Sequence, residues 1–198
     1  MPDKVFAESA ERNSGPILEV LRSEFAQCRN VLEIGSGTGQ HAVHFASTLE
    51  YLQWQTSDLA ENHESIKAWI ADSGLTNIAS PLSLDVRTAT LPEHCYDGIY
   101  SSNTAHIMSF AAVEDMFSIV GRVLCDGGAF CLYGPVRRHG EFNTASNAEF
   151  DRTLRARDPE SGIRDLEDLD ELGSRHGLAR THFYAMPANN HIAVWRMG

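Results

Sequence analysis

Long apolar runs, paired cysteines and basic clusters are all missing from this 198-residue chain. No stretch approaches the ~20 consecutive apolar residues that a bilayer-crossing helix needs, so no membrane association is expected. The opening segment "MPDKVFAESAERNSG" has no apolar core of the kind a secretory signal carries. Four cysteines, Cys28, Cys95, Cys125 and Cys131, make no Cys-x-x-Cys pair and no framework spacing. Unpaired thiols in a reducing, cytoplasmic setting are therefore expected. Lys and Arg total 16 against 27 Asp and Glu, a net charge of −11 with histidines neutral. A protein that tracks a phosphate backbone needs a basic face, so nucleic acid is not an expected partner. His41 and His44 stand about one helical turn apart, but no third ligand follows at a telling interval; no metal is expected. A Gly-x-Ser-x-Gly elbow is also absent, which removes hydrolases of that type.

What is present is an ordinary globular composition, 42% hydrophobic and 22% charged, in a chain long enough for one domain and too short for two. "NSGPILEVLRSEFAQC" puts Ile17, Leu18, Leu21 and Phe25 at helical spacing, with Ser14 and Pro16 as starting signals. "VLEI" is a strand and "TGQHAVHFASTL" a helix. "LQWQTS" is a strand ending at Asp58, and "ENHESIKAWIADSG" is a helix stopped by Gly74. "ASPLSLDV" gives a third strand, which Pro81 confines to the residues after it. "YDGIYSSN" is a fourth, a helix over 113–124 breaks at "CDGG", and "AFCLYGPV" is a fifth. Helices are expected over 145–155 and 165–176, followed by "LARTHFYAMPA" and "HIAVWRM" as an antiparallel pair turning at Asn189-Asn190. The acidic stretch 158–171 reads as a solvated helix face.

Strand-helix alternation of this kind implies an α/β fold: a mostly parallel seven-stranded sheet with a C-terminal antiparallel hairpin and helices on both faces. One domain over 1–198 is expected, opening with an N-terminal arm and helix over 1–28. Ligands on such sheets sit beyond the carboxyl ends of the strands, near the switch point.

At that end lies "VLEIGSGTGQH". Gly35, Gly37 and Gly39 alternate with Ser36 and Thr38, and Glu33 precedes them. A dinucleotide site wants G-x-G-x-x-G, but Gly39 comes one residue early and Gln40 occupies the third position. Asp58 ends the second strand, where a carboxylate can accept from both hydroxyls of a ribose. Asp85 closes the third strand, placed to accept from an adenine amino group while Leu59 and Val86 line the ring.

"LEIGSGTG", "TSD", "SLDV" and "YDGIYSSN" together resemble the class I S-adenosylmethionine-dependent methyltransferases, of Rossmann-like fold. The resemblance implies that Gly35, Gly37 and Gly39 pack under the methionyl and ribose part of the cofactor, with Ser36 and Thr38 in the same turn. Asp58 would hold the ribose, and Asp85, Leu59 and Val86 the adenine. Glu33 would orient the turn or reach the ammonium through water, and His41 would sit beside it. "AERNSGPILEVL", "VLEIGSGTGQHAVHFA", "LYGPV", "SNAEFDRTLRARDPESGIRDLEDL" and "MPANN" are similar to the methyltransferase-like 26 family over nearly the whole chain. That likeness brings Arg12 and Asn13 to the cofactor and departs at "CDGG", where Lys-Pro-Gly-Gly is usual.

Methyl transfer from a sulfonium needs mainly proximity and alignment, and a base only for some acceptors. Asn103 and His106 follow the fourth strand, the place facing the methyl in this superfamily. His106 is the leading base candidate, against a packed or capping histidine; "NTAH" lacks the Asn-Pro-Pro-Tyr pattern. Tyr133 is a second catalytic candidate. Arg137, Arg138, Glu141 and Asn143 are candidates for an acceptor wall, against plain surface solubility, within a lid or acceptor-binding insertion over 137–162. The expected activity is transfer to a small-molecule acceptor, with S-adenosylhomocysteine as product. The alternatives are a cofactor-binding pseudoenzyme serving as a partner subunit and, third, a nucleotide-linked oxidoreductase.

Overall fold

The structure is a computed structural model that describes residues 4–91, 93 and 96–198. Three residues of the N-terminal arm lie outside it, as does Cys95 among the cysteines. The chain runs α1 (Glu8–Glu24), β1 (Asn30–Ile34), α2 (Gln40–Thr48), β2 (Gln53–Asp58), α3 (His63–Ser73) and β3 (Ile78–Ser83). It continues β4 (Tyr96–Ser102), α4 (Phe110–Val123), β5 (Leu124–Gly134), β6 (Val136–Arg138), β7 (Glu141–Phe142) and α5 (Ala145–Arg157). It ends β8 (Arg164–Asp165), α6 (Leu166–Arg175), β9 (Leu178–Met186) and β10 (Asn190–Met197).

Seven strands form one sheet in the order β3-β2-β1-β4-β5-β10-β9. β1 pairs in parallel with β2 and β4, and β10 runs antiparallel to both β5 and β9. The order reverses at β1, so a crevice opens where β1 and β4 end. Alternation along the strands feeds two cores. Val31, Trp54, Tyr100, Cys131 and Val194 face α1 and α2, while Leu32, Ile99, Phe130, Leu132 and Trp195 face α4 and α6. Burial on both faces is what sorts these apolar strands into a mostly parallel sheet.

The starts of three elements and one additional sheet differ most from the sequence expectation. α1 starts at Glu8, and Pro16 lies inside it instead of opening it. The ring removes one N–H, and only the helical bond to the Arg12 carbonyl is lost. β3 begins at Ile78 and includes Pro81. It is the edge strand, and its register against β2 shifts between Gln55 and Ser57, so the missing N–H of Pro81 falls at an irregularity. Asp85 consequently lies two residues beyond β3, in a turn. β5 starts at Leu124 and takes in "CDGG", because Leu124 pairs with Tyr96. Finally, β6, β7 and β8 form a second, three-stranded sheet that the strand periodicity did not reveal; its members are two or three residues long.

Among the described residues, no helix is long and apolar enough to cross a membrane, and no group of three or more His, Cys, Asp or Glu is placed to hold a metal ion. Cys28 and Cys131 are buried thiols, and burial pushes Cys28 up to about 12.

Candidate active site

A cavity of about 550 Å³ opens at the carboxyl ends of β1, β2 and β4. Its near wall is the glycine turn. All three glycines have positive φ: 76° at Gly35, 57° at Gly37 and 93° at Gly39. Each answers a different demand. A Cβ on Gly35 would stand 2.6 Å from Thr104 Cγ2, so this position lets the β4–α4 loop approach. A Cβ on Gly39 would stand 2.9 Å from Ile66 Cα, so this one lets α3 pack against the turn. A Cβ on Gly37 would meet nothing within 4 Å, and Gly37 lines the cavity. The early third glycine is thus a helix-packing device, and the middle one leaves the ligand side open.

Five amides of the turn, those of Gly35, Ser36, Gly37, Gly39 and Gln40, are committed inside the protein. Gly35 and Ser36 N–H donate to Ser57 O, and Gly39 N–H donates to Ser36 O. Gln40 N–H donates to Thr38 Oγ1 at 3.3 Å. Gly37 N–H donates to Asp58 Oδ2 at 2.6 Å, while Leu59 N–H and Asn62 Nδ2 donate to Asp58 Oδ1. Asp58 is therefore 8% exposed, lines the cavity and clamps the turn at once.

Beneath the turn, Glu33 is buried. Its Oε2 accepts from Ser36 Oγ at 2.8 Å and from Trp54 Nε1 at 3.1 Å. Burial pushes its carboxyl up to about 7, the two hydrogen bonds pull it down, and the Asp58 charge adds to the rise. Of the two roles open to Glu33 in the sequence, this geometry supports orientation of the turn.

Leu84, Asp85 and Val86 line the neighbouring wall. Arg87 donates to both Asp85 oxygens, with Nη2–Oδ2 at 2.6 Å, and these bonds hold Asp85 down to about 2. The far wall comes from remote sequence: Thr104, Ile107, Met108, Ser109 and Ala112 after β4, and Asp158 and Glu160 after α5. Asp158 and Glu160 are exposed, as the acidic stretch implied, but they stand in the loop after α5 and line the mouth of the cavity. No sequence spacing links 158–160 to 103–109; only the chain reversal through α5 brings them together.

Other candidates lie around the cavity without lining it. His41 Nε2 faces two acceptors, Ala10 O at 3.2 Å and Asn13 Oδ1 at 2.7 Å, so it carries the ring hydrogen there. Burial pushes His41 down to about 4. Asn13 also hydrogen-bonds Tyr133, whose phenol oxygen accepts from Asn190 Nδ2 at 3.0 Å; burial raises the Tyr133 hydroxyl. His41, Asn13, Tyr133 and Asn190 thus form one buried network joining α1, α2, β5 and β10. Arg12, by contrast, is exposed and pairs with Glu8 at 3.2 Å.

Asn103 lines the cavity in a left-handed conformation, φ 58°, which asparagine tolerates better than most residues. Its N–H donates to Tyr133 O at 2.9 Å. His106 is buried against Phe150, with ring centroids 5.4 Å apart, and burial followed by the Arg164 charge pushes it down to about 4. Asn103 Oδ1 and His106 Nδ1 converge over Gly134: a Cβ there would lie 3.9 Å from the first and 3.6 Å from the second.

The acceptor-wall candidates sit on the small sheet instead of the cavity. Arg137 and Arg138 lie over the rings of Phe142 and Phe183. Glu141 pairs with Arg138 in the ladder, and Asn143 donates to Asn189 O and accepts from Asn147.

This sheet order, with its turn after β1 and its single antiparallel β10, is the class I methyltransferase fold. An O-methyltransferase family 2 protein from Planctomyces limnophilus, solved with apigenin, superposes with a TM-score of 0.84 at 15% identity, over 97% of this chain and 59% of that one. An O-methyltransferase family protein from Burkholderia thailandensis gives 0.82 at 15% identity, over 96% and 58%. An O-methyltransferase from neocarzinostatin biosynthesis, solved with S-adenosylmethionine and 2-hydroxy-5-methyl naphthoic acid, gives 0.77 at 18% identity, over 96% and 55%. The chain therefore spans a little more than half the length of each. The family model described as "Protein of unknown function (DUF938)" matches residues 4–197, and the chain belongs to that family.

Proposed function

We propose that this chain is a methyltransferase that binds S-adenosylmethionine in the cavity over Gly37, serves a small-molecule acceptor and releases S-adenosylhomocysteine. The observation that carries this is the combination of committed turn amides and an acidic lining. A pyrophosphate needs free N–H groups at a helix start. Here the amides of Gly35, Ser36, Gly37, Gly39 and Gln40 all donate within the protein. The lining carries Asp58, Glu61, Asp85, Asp158 and Glu160 against Arg87, which is itself paired with Asp85. Such a wall repels a dinucleotide and favours a cationic sulfonium. The third reading, a nucleotide-linked oxidoreductase, loses ground on both counts.

When bound, that cofactor supplies an already activated methyl, so the protein's work is mostly placement. Asp58 offers the remaining lone pairs of its carboxylate to the ribose hydroxyls. Leu59 and Val86 would flank the adenine, with Asp85 at its amino edge; Glu33, Ser36 and Thr38 hold the turn in shape. His41 and Asn13 anchor α1, from which Arg12 can reach the open end. A nucleophile entering over Gly134 would meet Asn103 Oδ1 and His106 Nδ1. His106 is neutral at pH 7 and can take the proton that a hydroxyl or amine acceptor releases, with Tyr133 of β5 lining the same small cavity beside Gly134. Ile107, exposed at 59% on the far wall, favours an acceptor with an apolar body. The motif likeness supports membership in the methyltransferase-like 26 family, and the buried thiols Cys28 and Cys131 suit a cytoplasmic setting.

Calorimetry with S-adenosylmethionine, S-adenosylhomocysteine and NAD tests the cofactor. Binding of the first two without the third is expected; NAD binding, or none at all, overturns it. Cell-extract metabolites incubated with labelled methyl donor test catalysis. Cofactor binding with no labelled product in any extract would favour the pseudoenzyme.

A further inference from the structure

Arg164 stands on β8, within the "SGIRDL" stretch and far in sequence from the glycine turn and the β4–α4 loop, yet it is 7% exposed. A buried guanidinium is costly unless its donors are satisfied, and an apolar side chain would fill the same space without that cost. Its donors reach two separate loops. Nε donates to Ala105 O at 2.9 Å and Nη2 to Met108 O, both in the β4–α4 loop. Nη2 also donates to Glu160 O at 2.9 Å, in the connection from α5 to β8. Beside these, Gly162 N–H donates to His106 O at 2.9 Å. The first loop carries Ile107 and Met108 of the far wall, and the second carries Asp158 and Glu160. One main-chain bond, Gly162 to His106, joins the two loops directly, and the Arg164 side chain adds three more.

We propose that Arg164 is a positioning residue for the cavity: its planar fork fastens the β4–α4 loop to the α5–β8 connection and so fixes the far wall against the glycine turn. The functional part of this inference rests on the cofactor reading above; the clasp itself does not. The 137–162 segment, expected to act as a lid, would then share one pin with the loop that bears His106. The guanidinium charge also faces His106 and helps keep its ring neutral, after burial. From the other elements packed on that ring, Phe150 of α5 and Gly134 of β5 bring no charge, while Arg155, Asp151, Arg137 and Asp158 act on Arg164 itself. Clasp and charge can be separated, because lysine keeps the charge but has no rigid fork.

The test uses the full chain with Arg164→Lys and Arg164→Met, each first shown to be folded by circular dichroism and a cooperative thermal transition. In both variants, amide exchange at Gly162 should rise about tenfold or more, the range of one charge-assisted hydrogen bond, while exchange at Leu32 in the central strand stays put. The NMR titration midpoint of His106 should rise in Arg164→Met and hold in Arg164→Lys. Affinity for S-adenosylhomocysteine should fall about tenfold in both variants. Unchanged Gly162 exchange in two folded variants overturns the proposal. So does a rise that is equal at Leu32, which would make Arg164 a general stabiliser. Wild-type protein that binds no S-adenosylhomocysteine sinks the cofactor reading instead, and exchange and titration then still judge the clasp.

Discussion

The two walls of the cavity are built differently. The near wall, from Glu33 to Asn62, is made by neighbours in sequence: a strand, a turn of three left-handed glycines and the end of the next strand, closed by Asp58 accepting from Gly37 N–H. The far wall joins 104–112 to 158–160, and its fastening is a buried arginine that donates to main-chain carbonyls. The near wall is held by main-chain bonds: the amides of Gly35, Ser36, Gly37, Gly39 and Gln40 all donate within it. The far wall draws on a side chain from a third element, so under the clasp proposal it is the half of the site that substitution at Arg164 would loosen.

Gly39→Ala would break the near wall most severely. The added Cβ combines a left-handed backbone with a 2.9 Å approach to Ile66 Cα, and a loss of about 2–5 kcal/mol is expected by denaturant titration. If Gly39→Ala is as stable as wild type, the packing role of the third glycine is wrong. Asp58→Ala should come next in effect. Calorimetry should register a loss of about a hundredfold in S-adenosylhomocysteine affinity, as expected for two charge-assisted bonds. An unchanged affinity would remove Asp58 from the ribose.

Glu33→Gln sharpens the comparison through pH. The folded carboxyl titrates near 7, above its ordinary 4.5, so protonation favours the folded state. The contribution of Glu33 is complete below pH 4.5 and disappears as pH rises through 7. Glutamine can still accept from Ser36 and Trp54 and has no charge to bury. The variant should therefore gain stability relative to wild type across that window, and parallel pH profiles would refute the buried-acid assignment. Arg12→Ala should do least. An exposed pair with Glu8 contributes little, so the melting temperature should stay within about one degree. Any fall in cofactor affinity would then report direct contact by the N-terminal helix.

Much of this contrast was visible in the residues alone. The glycine turn, Asp58 and the closing hairpin follow from local spacing, and all three lie where expected. Arg137 and Arg138 did not line the cavity, because Phe142 and Phe183 offer them ring faces that only folding brings near. Pro81 was misjudged as a strand limit, since edge position is a property of the sheet and not of the segment. Asp158 and Glu160 are solvent-facing as read, but their place at the cavity rim was not legible, since charge type says nothing about which loop lies opposite.

By itself, the sequence determined the α/β alternation, the left-handed turn and the acid that closes it, since strand period, glycine spacing and strand-end position all act within a few residues. Only the tertiary structure decided which residues complete the cavity. Buried hydrogen bonds such as those of Arg164 form between residues 59 and 56 positions apart, and no local pattern records which carbonyls a folded chain will present to a guanidinium.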